Sequence, residues 1–178
     1  VPSFPRAVKR TWEHAESDFI FHYEDSKVLT RPVSLEQVER AFALKKELAA
    51  ISLRAIDRQS FPELQFEYDN QLALYLTPFY QRALALLPSF FQLTFVKRLL
   101  PFFREGVSPE KTIRAVSKHT GEETAAQVRA VASQYRYGFM DVLTPDFENY
   151  FENAGRAWRL EHQFTKAEGG ITTTWVKP

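Results

Sequence analysis

The sequence predicts an all-α fold: antiparallel helix pairs stacked as a short α-solenoid, followed by an extended C-terminal tail. Two observations predict it. Helix-start residues recur at Ser34, Thr77, Ser108 and Thr144, and the last three each precede a proline, which at the first helical position loses no N–H bond. Between them, apolar residues return at the three- and four-residue spacing of a buried helix face. The last two intervals between starts approach the roughly 34 or 35 residues of helix-pair repeats. The expected division is one helical domain over 1–163, with helix pairs starting near 34, 77, 108 and 144, and a tail over 164–178.

Each element has its own signal. A first helix is expected over Arg6 to Tyr23. Ser34 with Gln37 makes a capping box, and Leu35, Val38, Phe42, Leu48, Ile51 and Ile56 extend that helix. Pro62 opens the next, through Leu64, Tyr68, Leu72 and Tyr75, and Thr77-Pro78 another. Ser89 caps a short phenylalanine-rich helix that Pro101 is expected to bend or end. Ser108-Pro109-Glu110 starts a helix expected to stop at Gly121, and Thr120 with Glu123 caps its partner through Ala126, Val128, Val131, Ala132 and Tyr135. Thr144-Pro145-Asp146 opens the last helix, through Phe147, Tyr150, Phe151, Ala154, Trp158 and Leu160. Gly169-Gly170 is a turn, and Ile171 to Val176 is β-branched and extended, without an obvious partner strand.

Composition bounds the function. Twenty-three Lys and Arg against 22 Asp and Glu leave a net charge of +1, so no long-range field draws in nucleic acid or an anionic membrane. The absence of cysteine excludes disulfides and thiolate chemistry. The most apolar stretch, Leu84 to Phe103, is broken by Pro88, Lys97, Arg98 and Pro101, so no transmembrane segment is expected and the chain reads as soluble. It opens on Val1, which removal of an organellar presequence or a fragment of a longer chain would explain.

Glu105-Gly106-Val107-Ser108-Pro109-Glu110 resembles the junction of pentatricopeptide repeats, where a charged residue, glycine and an aliphatic end one repeat and proline plus an acid open the next. Leu143-Thr144-Pro145-Asp146 looks like the same junction without glycine, and Gly121 with Ala126 is similar to the family's inter-helix turn. The resemblance covers at most Ser34 to His162 and is fullest over Ser108 to Leu143. It implies a mitochondrial or plastid protein and, commonly, single-stranded RNA binding. The family's base-reading position falls on Ala115 counted from Pro109 and on Phe151 counted from Pro145, and neither has the donors and acceptors of base readout. The chain is also similar in kind to pentatricopeptide-like accessory subunits carried outside the F1 head of some protist mitochondrial ATP synthases. The function so implied is a non-catalytic subunit docking on protein subunits of a larger mitochondrial complex. RNA binding is the second reading, and a small-molecule binder or enzyme the third.

No catalytic, metal or cofactor site is expected. His14, His22, His119 and His162 lack ligand spacing, and zinc needs three or four convergent ligands. Asp141, Asp146, Glu148 and Glu152 gather around a helix start, where the helix dipole accounts for Asp146 and Glu148. Gly169-Gly170 lacks the strand–loop–helix context of a phosphate loop. Lys111, Arg114 and Lys118, with Arg129 and Arg136, make a basic stripe that a solvated helix face also explains. Aromatics beside arginine are enriched at protein interfaces. The expected partner-binding residues are therefore Phe102, Phe103 and Arg104, then Arg156, Trp158 and Arg159, and Trp175 in the tail.

Overall fold

A six-stranded mixed sheet lies at the centre of the computed structural model, and it overturns the expected all-α helical repeat. The structure describes residues 4–24, 26–54, 62–79, 86–114, 117–140, 150–163, 165–166 and 175–176. Helix α1 (Phe4–Glu13) leads into β1 (Phe19–His22) and β2 (Val28–Leu29), and α2 (Leu35–Leu44) precedes β3 (Leu48–Ser52), β4 (Glu67–Asp69), β5 (Leu74–Pro78) and β6 (Ser89–Gln92). Helix α3 (Leu93–Leu99) continues from β6 into a 3₁₀ turn at Leu100–Phe102, followed by α4 (Pro109–Ile113), α5 (Ser117–Thr120) and α6 (Glu122–Ala132). Then come β7 (Arg136–Phe139), β8 (Phe151–Glu152), α7 (Ala154–Glu161), β9 (Thr165–Lys166) and β10 (Trp175–Val176). The sheet order is β1-β6-β3-β7-β5-β4, antiparallel throughout except for the central parallel pair β3–β7.

The helix signals fail where a run is buried on both sides. Ser34 does cap α2, its Oγ accepting from the Gln37 N–H at 3.2 Å. That helix nevertheless closes at Leu44, and the extended backbone of Lys45 turns the chain into β3. All five residues of β3 are buried, and a strand covered on both faces shows no alternation to distinguish it from a buried helix. The helix expected from Pro62 is instead the hairpin of β4 and β5. Asp69 Oδ1 accepts from the N–H groups of Gln71 at 3.0 Å and Leu72 at 3.1 Å, a side-chain-built turn. Thr77 and Pro78 end β5, most of the helix expected after them, over 80–85, lies outside the described residues, and Ser89 is the first residue of β6.

The Ser108–Leu143 unit likewise is no helix-pair repeat. Pro109 begins α4, but α4, α5 and α6 lead into β7, which enters the sheet between β3 and β5. Gly121, at φ +83°, takes the left-handed conformation between α5 and α6. Ile56, Thr144 to Phe147 and Gly169-Gly170 lie outside the described residues. The tail, expected to lack a partner strand, pairs with itself: Trp175 lies opposite Lys166 and Val176 opposite Thr165.

Alternation along the strands sends side chains into two cores. Phe91 and Ala50 face a cluster with Val8 and Trp12 of α1, Phe95 and Leu99 of α3, and Val128 of α6. Phe90, Leu48 and Ile51 face the other, with Val38, Ala41 and Phe42 of α2. Helices thus cover both faces, and the sheet's two lateral edges decide what remains open.

Candidate binding groove at the open sheet edge

The two edges are treated differently. Strand β4 carries Glu67 and Asp69, with Glu67 Oε2 paired to Arg136 at 2.9 Å and Asp69 to Lys45 at 2.7 Å, charges of the kind that discourage further strand pairing. At the other edge, β1 reads Phe-Ile-Phe-His, without proline or a formal charge at neutral pH. Among the described residues no strand pairs with its outer side.

Backbone phase identifies the open groups. Leu93 N–H donates to Asp18 C=O at 3.0 Å, and Phe19 pairs with Gln92, so the groups of Asp18, Ile20 and His22 face β6. Those of Phe19 and Phe21 point outward. Ser17 Oγ donates to the Phe19 C=O at 2.6 Å, which blunts that end of the strand. Phe21 is left as the outward-facing donor and acceptor at mid-strand. Its ring is 41% exposed, stacked on Phe90 at 4.5 Å and beside Tyr23 at 5.6 Å.

Helix α1 forms the other wall. Its buried stripe, Val8 and Trp12, packs on the sheet, and the Trp12 ring lies 5.5 Å from Phe91, 5.8 Å from Phe103 and 5.9 Å from His22. One flank then presents Phe4, Ala7 and Thr11 at helical spacing toward β1 and, with Ala15 just past the helix end, encloses a groove of about 510 Å³ with Ile20, His22 and Tyr23. Small side chains at Ala7, Thr11 and Ala15 keep that groove wide. His22 is largely buried there and its Nε2 has no hydrogen-bond partner. Burial pushes its pKa below the ordinary value of 6.5, opposed by the nearby Glu24. The neutral ring is the form that suits this apolar wall.

The opposite flank of α1 is basic. Arg6, Lys9, Arg10 and His14 line a second cleft of about 460 Å³ with Arg104, against the carboxylates of Glu13 and Glu105. Lys9 pairs loosely with Glu13 at 3.8 Å, and Arg104 donates to Thr124 Oγ1 at 3.1 Å, leaving much of each cation facing solvent.

The expected contact residues are dispersed. Phe103 is buried beneath Trp12, Phe102 is half-buried against the same core, and Arg104 is exposed in the basic cleft. Trp158 is 53% exposed on α7 and stacks on His162 at 4.2 Å, while Arg159 is half-buried. Arg156 lies in α7 and Trp175 in β10, their side chains outside the described residues. The basic stripe is not continuous. It spans α4 and α5, Arg129 is tied to Glu122 at 2.8 Å, and Arg136 lies on β7. Desolvation first, and then the charges of Lys111 and Lys118, hold the pKa of His119 below its ordinary value. Phe151 is buried in β8, away from any base-reading position, and Ala115 lies outside the described residues. Asp141, Asp146 and Glu148 do too.

Sequence reasoning missed β1 by running the first helix on to Tyr23. The signal was present: Ser17-Asp18 breaks the helical pattern, and Phe19 to Tyr23 is a β-prone aromatic run. Among the described residues, no cluster of His, Asp and Glu converges on a metal position, and no helix is long and apolar enough to cross a membrane. Comparison with protein-family models, curated proteins and solved structures finds no match to this chain.

Proposed function

We propose that this protein is a non-catalytic docking module that binds a partner polypeptide as an added strand on β1, in the groove between β1 and α1. One observation carries this: the uncharged β1 edge presents the unpaired backbone groups of Phe21 beside an open apolar groove, while the far edge is guarded by Glu67 and Asp69. An extended peptide would gain main-chain hydrogen bonds from β1 and bury alternate side chains against Phe4, Ile20 and Tyr23. Docking on another protein is the role expected from the sequence, though the surface is not the one expected. A mitochondrial assembly, with the ATP synthase F1 head as first candidate, was suggested by paired-helix repeats that the fold lacks. The partner is therefore defined here by chemistry, and organellar extracts are one place to seek it.

The test separates backbone from side chain. Phe21→Pro removes an outward N–H and leaves the β6 ladder, whose donors belong to Ile20 and His22. Phe21→Ala removes the ring but keeps the N–H. With a photocrosslinking amino acid at Thr11, a specific adduct should form with wild type and with Phe21→Ala and be lost with Phe21→Pro. An adduct that survives Phe21→Pro in a folded protein refutes strand addition.

A further inference from the structure

We propose that the partner segment carries acidic residues next to its strand-forming run, and that the basic cleft on the far flank of α1 receives them. The inference rests on the strand-addition reading and adds the chemistry of the ligand. A near-neutral chain has concentrated four cations, Arg6, Lys9, Arg10 and Arg104, around one cleft where the described residues supply two carboxylates. The cleft and the groove share α1 as a common wall: Ala7 and Thr11 face the groove, Arg6 and Lys9 the cleft, and Arg10 stands exposed on the ridge between. A helix is about 10 Å across and an extended chain advances about 3.3 Å per residue, so about three or four residues carry a bound strand over α1. The ligand is thus a single polypeptide: an alternating apolar run lying along β1, with carboxylates within about four residues of one end. A peptide suits the pair of sites better than RNA, because the outward backbone N–H and C=O of Phe21 can continue a β-ladder only with another polypeptide.

A second copy of this chain is the competing occupant, because Glu16, Asp18 and Glu24 adjoin its own aromatic β1 run, and self-association through β1 is the outcome that would show it.

The probe is a library of long random peptides displayed on phage, panned against the full chain and, in parallel, against Arg6→Glu/Arg10→Glu. Both arginines are exposed, and circular dichroism checks that the variant folds. Wild type should enrich sequences with an apolar alternating run next to Asp or Glu, and the variant should lose the acidic preference. A selected peptide should bind the variant roughly tenfold more weakly, with a salt dependence that the variant lacks. Enrichment of alternating apolar runs without acids overturns this inference and leaves strand addition standing. Enrichment of acidic peptides without an apolar run that bind Phe21→Pro as well as wild type refutes strand addition instead. No enrichment, self-association through β1, or single-stranded oligouridine bound more tightly than any selected peptide overturns the proposed ligand.

Discussion

Replacing Gly155 by alanine should detach α7 from the rest of the fold, although alanine is the better helix former. Two effects compete. Alanine in place of glycine stabilises a helix by about 0.5–1 kcal/mol, less near an end. Against that, a Cβ at Gly155 would stand 2.7 Å from the Ser26 Cβ and 3.3 Å from its Cα, where carbon atoms prefer about 3.5–4.0 Å. Neither atom is the far end of a flexible side chain, so the helix or the Ser26 turn must move. That turn is held by Lys27 N–H to Glu24 C=O at 3.0 Å and by the Lys27–Glu24 ion pair at 2.8 Å. Overpacking of this kind costs about 1–3 kcal/mol. A shift also endangers the 3.1 Å bond from Gly155 N–H to Ser26 C=O, worth about 0.5–1.5 kcal/mol. The clash wins: subtracting the propensity gain leaves a cost of up to about 2.5 kcal/mol, and losing the Ser26 bond adds about 0.5–1.5 kcal/mol. Because the described side chains of α7 add nothing to the buried core, the loss should be local. Hydrogen exchange should accelerate across Ala154–Glu161 while the amides of β3 and β7 keep their protection. Unchanged or slower exchange in α7 would refute the reasoning.

Three further outcomes are expected. Trp12→Ala removes the ring that anchors α1 to Phe91 and Phe103, and should cost about 3–5 kcal/mol in urea unfolding; a loss below about 1 kcal/mol would show that α1 is not held by this contact. His22 has a depressed folded-state pKa, so the unfolded chain takes up the proton first: its contribution is present above 6.5 and lost as pH falls below that value. Wild type should therefore lose up to about 1.4 kcal/mol per pH unit more than His22→Phe over that window, and parallel stability–pH curves would contradict it. Asp69→Ala removes both the Lys45 partner and the acceptor for Gln71 and Leu72, and should destabilise the β4–β5 hairpin by about 1–2 kcal/mol, with faster exchange at Leu72; Asp69→Asn should recover the turn but not the ion pair.

Legibility followed the range of the interactions involved. Ser34 and Gln37 settle a helix start within four residues, and that start is present. Glycine's left-handed turn at Gly121 is equally local. What ends α2 is not local: Leu48, Ile51 and Ser52 belong to a strand because β6 and β7 lie beside them. No pattern inside Leu48–Ser52 announces those neighbours, so helical spacing was read through them. The site divides in the same way. Arg104, which its company of aromatics singles out, lines the basic cleft. The same company misplaced Phe103, which the Trp12 ring buries. Phe21 was invisible as a contact because its outward-facing backbone exists only once Asp18 has bonded to Leu93.

The parallel pairing of Ile51 with Gly138 also has a consequence for how the chain is made. At about 5–20 residues per second, synthesis delivers the later residue roughly 4–17 s after the earlier one. Leu-Ala-Ala-Ile therefore waits on the nascent polypeptide, one flank without its final neighbour, while the residues up to Gly138 are still being added. Rapid release or a holding chaperone would suit such a chain, and a translational pause just before Gly138 would harm it most.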